Sequence, residues 1–270
     1  MAATDEVVAR RICEILRDVV VVTERELKIR LEREYFPWVV GRVLGLLLRE
    51  GKVVKRGYPG RRRLGRGAPQ FFYMLAGTAY SAVMKLIQKK REVTAYLNAQ
   101  LTAESVAGFH AENLFEQGFE DAGFVIAGRD VSEYKGRRVR AVEGKEPANV
   151  DFVVERNGIA YGVDVKNWLY YEVETRDVVK KKVAIALELG TVPWVVARYI
   201  DKETIYLEVY KKGGLVYPYV RLLLPSALDS LASEAQSLLG YPVMAVDVLP
   251  DFMVRWVSKL HDDYVSRRRS

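Results

Sequence analysis

At 270 residues, half of them apolar, the chain is long enough for one large domain or two modest ones around a buried core, which excludes disorder and collagen-like repetition. Its 42 Lys and Arg against 35 Asp and Glu leave a formal charge of +7, which favours a polyanionic partner. A single cysteine, Cys13, excludes an internal disulfide framework and a Cys-rich zinc site, and two histidines leave hard-cation chemistry on Asp and Glu as the only metal option.

The opening MAATDEVVARR lacks the apolar stretch of a signal peptide, and the longest aliphatic runs fall far short of the roughly 18 residues that a membrane span needs. With the lone cysteine, this predicts a cytoplasmic protein with no membrane association. Scarce amides, with only five Asn and five Gln, beside many Val and charged residues lean towards a thermophile source.

The first segment predicts three helices and a hairpin. Val7, Val8, Ile12, Ile15 and Leu16 share one helical face between Asp5 and Asp18. Thr23 with Glu26 three residues on is a capping box that opens a second helix. Pro37 opens a third, closed by Gly51. KVVKR and QFFYML then read as two strands around GYPGRRRLGRGAP, and that order is the order of a winged helix-turn-helix. From Lys52 to Gly67 there are seven basic residues and no acidic one, so Lys55, Arg56, Arg61, Arg62, Arg63 and Arg66 are candidate DNA-binding residues on a Gly- and Pro-rich wing. On the third helix only polar positions such as Arg42 and Arg49 are free to face DNA.

A helical pattern continues from Ser81 to about Ala122, with a break near Asn98–Thr102. VDFVV, IAYGVDVKNW, VPWVVARYI and IYLEVY then read as strands, with a helix over 174–189, and the last seventy residues predict a helix over 226–239, a strand VMAVDVL and a helix from Asp251. The fold class is therefore α/β, α+β overall: a winged helix over 1–77, a connecting helix over 78–102 and, over 103–270, an α/β domain with a central mixed sheet.

Chemistry concentrates in NVDFVVERNGIAYGVDVKNW. Asn157-Gly158 is a hairpin turn, Asp151 sits in an apolar run on the first strand, and on the second Asp164 and Lys166 share a face that Val165 does not. Two carboxylates and an ammonium on adjoining strands are costly in a core unless a function or a metal requires them. A divalent cation, Mg²⁺ or Mn²⁺, resolves the cost: Asp151, Asp164 and the Val165 carbonyl are hard oxygen donors, and Lys166 is placed to orient or deprotonate a water, or to offset charge on a phosphate. Acidic-x-Lys alone decides nothing, because Glu26-Leu27-Lys28, Glu50-Gly51-Lys52, Glu133-Tyr134-Lys135 and Glu143-Gly144-Lys145 also occur, though none of them lies on an apolar strand after a hairpin.

This layout resembles the PD-(D/E)XK, restriction-endonuclease-like nuclease superfamily, most closely the archaeal Holliday-junction resolvases, over roughly 103–200. Gly108-Phe109-His110-Ala111-Glu112 opens AENLFEQGFEDAGF as the family's first helix opens, and Asp151, Asp164 and Lys166 fall on its metal-binding Asp, its strand-three acidic residue and its lysine. The resemblance implies that Glu112 joins Asp151, Asp164 and Lys166 in the catalytic and metal set. It further implies hydrolysis of a DNA phosphodiester to 5′-phosphate and 3′-hydroxyl ends, and a homodimer. The superfamily's proline is absent before Asp151, and the loop over 128–148 is longer than in minimal resolvases. Lys135, Arg137, Arg138 and Arg140 in that loop, and Lys180–Lys182, are further candidates to approach the substrate backbone near the metal. The expectation is thus a Mg²⁺-dependent DNA endonuclease of repair, recombination or defence type, targeted by a winged helix. The alternatives are a non-catalytic DNA-binding or regulatory protein on a nuclease-like scaffold, and a nuclease acting on RNA.

Overall fold

The computed structural model describes residues 3–57, 70–101, 106–140, 148–170 and 175–269. They fall into two compact units, Met1–Gln100 with Ser230–Val243, and Leu101–Asp229 with Met244–Ser270.

In the first unit, α1 (Ala3–Val19), β1 (Val21–Val22), α2 (Glu24–Leu31), α3 (Pro37–Arg49), β2 (Val53–Gly57) and β3 (Phe71–Leu75) precede a long α4 (Tyr80–Gln100). Val8, Ile12 and Leu16 of α1 bury against Leu27 and Leu31 of α2 and Val40, Val43, Leu44 and Leu47 of α3. The cap of α2 is reciprocal: the Glu26 amide donates to Thr23 Oγ1 at 3.1 Å, and the Thr23 amide donates to Glu26 Oε1 at 3.2 Å. Glu26 is fully buried, and its other carboxylate oxygen accepts from the buried Lys90 ammonium of α4. β3 is the middle strand, antiparallel to β2 as a hairpin and also to β1, a pairing that sequence reading did not anticipate. Lys55 and Arg56 are exposed on β2, with Lys55 Nζ 3.9 Å from the Phe71 ring centroid. Arg61, Arg62, Arg63 and Arg66 lie outside the described residues.

The second unit contains α5 (Val106–Asp121), β4 (Val125–Val131), β5 (Glu133–Tyr134), β6 (Arg137–Arg138), β7 (Val150–Arg156), β8 (Ile159–Lys166), α6 (Thr175–Glu188), β9 (Val192–Ala197), α7 (Lys202–Thr204), β10 (Leu215–Pro218) and β11 (Leu222–Leu224); the chain passes to the first unit at the start of α8 (Asp229–Glu234), returns within β12 (Val243–Ala245) and ends in α9 (Asp251–Arg269) of the second. Its central sheet has the order β10-β9-β8-β7-β4, with β8, β9 and β10 parallel and the β7 pairings antiparallel. Helices cover both faces. Phe115 and Phe119 of α5 and Met253 and Val257 of α9 pack on Phe152, Val163, Trp194 and Tyr217, while Val183, Ile185 and Ala186 of α6 meet the other face. The protein is therefore mixed α/β with a mixed central sheet. Asn157 at φ +53° and Gly158 at φ +76° make the tight turn between β7 and β8.

Four sequence expectations differ from the structure. IYLEVY is not a strand: Asp201 caps a helical start by accepting from the Thr204 amide at 2.9 Å, and 205–209 continues as a π-helical turn that buries Val209 and leaves Tyr206 exposed. The strand that follows is β10. Residues 226–239 form a broken helix rather than one continuous one, and the strand expected over VMAVDVL is confined to 243–245. Finally, 230–243 clusters with the first unit instead of the second. The physical reason is burial: Leu231, Ala232, Ala235, Leu239 and Tyr241 are covered, Glu234 lies 3.5 Å from Lys89 of α4, and the Arg30 guanidinium lies over Gly240. Among the described residues no helix is long and apolar enough to cross a membrane.

Candidate active site

Strand periodicity sorts the side chains of β7 and β8 between the two helical layers. Phe152 and Val154 of β7, and Val163 and Val165 of β8, enter the α5/α9 core, so Asp151, Asp164 and Lys166 face α6. Phe152 pairs with Val163 in antiparallel register, and one further step sets Asp151 across from Asp164. There the Val165 amide donates to Asp151 Oδ2 at 2.7 Å, so a side chain takes up a strand N–H.

Gly162 decides how closely α6 approaches. A Cβ there would stand 2.8 Å from Ala186 Cβ and 2.6 Å from Thr191 Oγ1, both too close. Ala186 lies one helical turn beyond Lys182, so the contact at Gly162 also sets Lys182 down on the carboxylates.

Lys166 Nζ donates to Asp164 Oδ1 at 2.7 Å and to the Val165 carbonyl at 3.1 Å, and lies 3.5 Å from Asp151 Oδ2. Lys182 Nζ pairs with Asp164 Oδ1 at 3.1 Å and donates to Asp151 Oδ1 at 3.2 Å and the Asn149 carbonyl at 3.0 Å. Two ammonium groups, one from a strand and one from a helix, therefore bridge two carboxylates. Asp164 is 2 % exposed, and its Oδ2 is buried with no hydrogen-bond partner. Just beyond Lys166, the Asn167 amide donates to the carbonyls of Ala107 and Leu223 and accepts from the Leu223 amide and the Tyr219 hydroxyl, which anchors the end of β8 to α5 and β11.

These contacts divide the carboxylates electrostatically. Burial pushes Asp151 up, but Lys166, Lys182 and the Val165 amide outweigh it and hold the carboxyl below its ordinary value. Burial dominates at Asp164, and the charge of Asp151 adds to it, so that carboxyl is raised despite both lysines. Burial also opposes the charge on Lys182, but the two aspartates outweigh it and raise that ammonium. Half-buried Glu112, on α5, is pushed up to about 7 by burial and by the charge of Asp151, with Lys166 pulling the other way. Glu112 thus lies within the field of Asp151, Lys166, Asp130 and Asp164.

Among the described residues no three His, Cys, Asp or Glu side chains group to hold a metal. The donor set that does exist is two carboxylates and the Val165 carbonyl, all hard oxygens. The orphaned Asp164 Oδ2 has a lone pair that no proton donor meets, which fits a hard cation.

The cluster thus brings together Asp151, Asp164 and Lys166 and adds Lys182, which the sequence groups only with cations near the substrate backbone; Glu112, expected in the metal set, feels their charge but does not group with the two aspartates as a third ligand. Its signal was faint: Lys180, Lys181 and Lys182 look alike, and only the α6 face distinguishes the half-buried one. The basic hairpin behaves differently. Lys135 lies by Gly158 and Ile159, at the end of β8 remote from Lys166, and Arg137 lies over Gly190 before β9, so neither stands beside the carboxylates. Arg138 is exposed on the same hairpin, 3.9 Å from Glu133. Comparison with protein-family models finds no match, and comparison with curated proteins finds none.

Proposed function

We propose that the second unit is a divalent-metal-dependent endonuclease domain that hydrolyses DNA phosphodiester bonds, and that the first is a winged-helix module that holds it to duplex DNA. One observation carries the reading: Asp151 and Asp164 are drawn together on adjoining strands with Lys166 bonded to Asp164, while one buried Asp164 oxygen is left without a partner.

Asp151, Asp164 and the Val165 carbonyl would hold Mg²⁺ or Mn²⁺. When bound, the cation would supply Lewis-acid polarisation of a phosphoryl oxygen and lower the pKa of water. The protein's own groups do the rest. Lys166 sets its Nζ beside the cluster, where it would orient or deprotonate a water or offset charge on the phosphate. Glu112, titrating near neutrality, holds or releases a proton at its carboxyl under ordinary conditions. In the first unit, three helices and the antiparallel β1-β3-β2 sheet support the winged-helix reading, and the basic 52–67 segment contributes by its sequence.

The test is Mg²⁺- or Mn²⁺-dependent cleavage of duplex, branched and single-stranded DNA by the full chain and by Asp164→Asn and Lys166→Met. Cleavage that is abolished in the first and falls about 100-fold in the second supports the reading. Activity equal to the parent in both overturns it.

One observation favours a second reading, a non-catalytic DNA-binding protein. Lys166 and Lys182 already neutralise Asp151 and Asp164, so the cluster also makes sense as a structural ion-pair network. Salt-steep DNA binding with no heat of Mn²⁺ binding in calorimetry selects that alternative.

A further inference from the structure

We propose that the second unit carries a separate site for a nucleotide-type phosphate, at the end of the central sheet opposite the aspartate–lysine cluster. A cavity of about 710 Å³ opens there, floored by the first residues of β8 and β9 and walled by Tyr134, Lys135, Lys212, Tyr264 and Arg268. That volume lies within the roughly 300–1,000 Å³ of ordinary small-ligand sites. β8 runs from Ile159 at the cavity to Lys166 in the cluster, roughly 20 Å at strand rise, so one small ligand cannot occupy both.

The charge of the cavity is not balanced from within. Lys135 pairs with Glu155 at 2.9 Å and Lys212 with Glu208 at 3.1 Å. Arg268 has no carboxylate among the described residues, and its guanidinium lies 5.1 Å from the Tyr264 ring centroid. Arg137 adds a fourth cation next to the lining: it packs on Gly190, a lining residue whose Cβ would lie 2.6 Å from its Nη1, and it too lacks a carboxylate among the described residues. Four cations thus face two carboxylates, and two of the four are guanidinium forks suited to phosphate oxygens.

The rest of the lining specifies more than phosphate. Tyr134 and Tyr264 line the cavity, each with a cation over its ring, and Ile159, Val192 and Pro193 make an apolar floor, so a planar base has aromatic and apolar groups beside the bound anion. The chemistry recognised is a phosphate joined to a base, whether as a free nucleotide or within a single strand.

Nothing in this site uses the aspartate–lysine cluster, so metal-free calorimetry on the full chain tests it apart from any nuclease activity. The probes are AMP, inorganic phosphate and an eight-residue oligothymidylate. The variants are Arg268→Glu, Arg268→Gln and Lys135→Glu, all at exposed side chains, with Asp164→Asn as the control at the cluster. Saturable binding of AMP or the oligonucleotide that weakens at least tenfold in both charge reversals, falls less in Arg268→Gln and persists in Asp164→Asn supports the site. The probe that binds tighter identifies the source. Three outcomes overturn the proposal: no saturable binding, inorganic phosphate binding as tightly as AMP, or binding that survives Arg268→Glu but is lost in Asp164→Asn.

Discussion

Lys182 Nζ stands 3.1 Å from Asp164 Oδ1, a contact made by a helix onto a strand eighteen positions earlier. Asp164 is the most deeply buried member of the cluster, so removing this cation leaves a poorly compensated charge. Lys182→Met is expected to lower the stability of the metal-free protein by about 3 kcal/mol, and Lys182→Arg by less. Under the nuclease reading, Mg²⁺ raises the melting temperature of Lys182→Met more than that of the parent, because a competing cation has gone. Urea and thermal melts with and without Mg²⁺ read both effects, and a Lys182→Met variant as stable as the parent refutes the bridge.

Glu112 predicts a pH dependence. Its folded value of about 7 exceeds its ordinary 4.5, so between these values the folded state holds more proton than the unfolded state. The contribution of Glu112 to stability then falls as pH rises through that window and is constant above it. Glu112→Gln removes that contribution, so the stability difference between variant and parent changes from pH 4.5 to about 7 and not beyond. Metal-free urea titrations across that range measure it. Parallel curves for the two proteins show that the carboxyl has its ordinary value.

Gly162 predicts a steric effect transmitted to the cluster. Gly162→Ala places a methyl group against Ala186 and Thr191, at an overpacking cost of about 1–3 kcal/mol. The shifted helix carries Lys182 with it, so Gly162→Ala together with Lys182→Met should cost less than the sum of the two. A double-mutant cycle in urea tests the coupling, and strict additivity counts against it.

In the first unit, the buried Lys90–Glu26 pair predicts an asymmetry. Lys90→Met strands a buried carboxylate and should cost about 3–5 kcal/mol, whereas Lys90→Met with Glu26→Gln, which removes the charge but keeps an acceptor for the Thr23 amide, should recover much of the loss. Equal stability of the single and double variants overturns this. Circular-dichroism melts suffice to decide.

What the sequence disclosed follows from which patterns are local. Asp151, Asp164 and Lys166 were legible because period two on apolar strands and the Asn157-Gly158 turn put them on one face, and the capping box at Thr23 is a four-residue signal. Lys182 was not legible in the same way, since its role depends on the missing Cβ of Gly162, a tertiary fact. IYLEVY misled because its β-branched and aromatic residues carry strand propensity, while the Asp201 cap and the burial of Val209 prevail in place. β1 is two residues long and gains its identity only by pairing with β3. The basic 133–138 hairpin was legible as charge but not as location, because its packing over Gly190 is again set by a missing side chain.

The return of 230–243 to the first unit bears on biosynthesis. A module read as N-terminal lacks part of its buried surface until the ribosome has made residue 243, some 140 residues after its helix α4 is complete. Its long helix α4 therefore emerges early but finishes packing late, waiting through the synthesis of most of the second unit for the 230–243 segment that comes to lie against it.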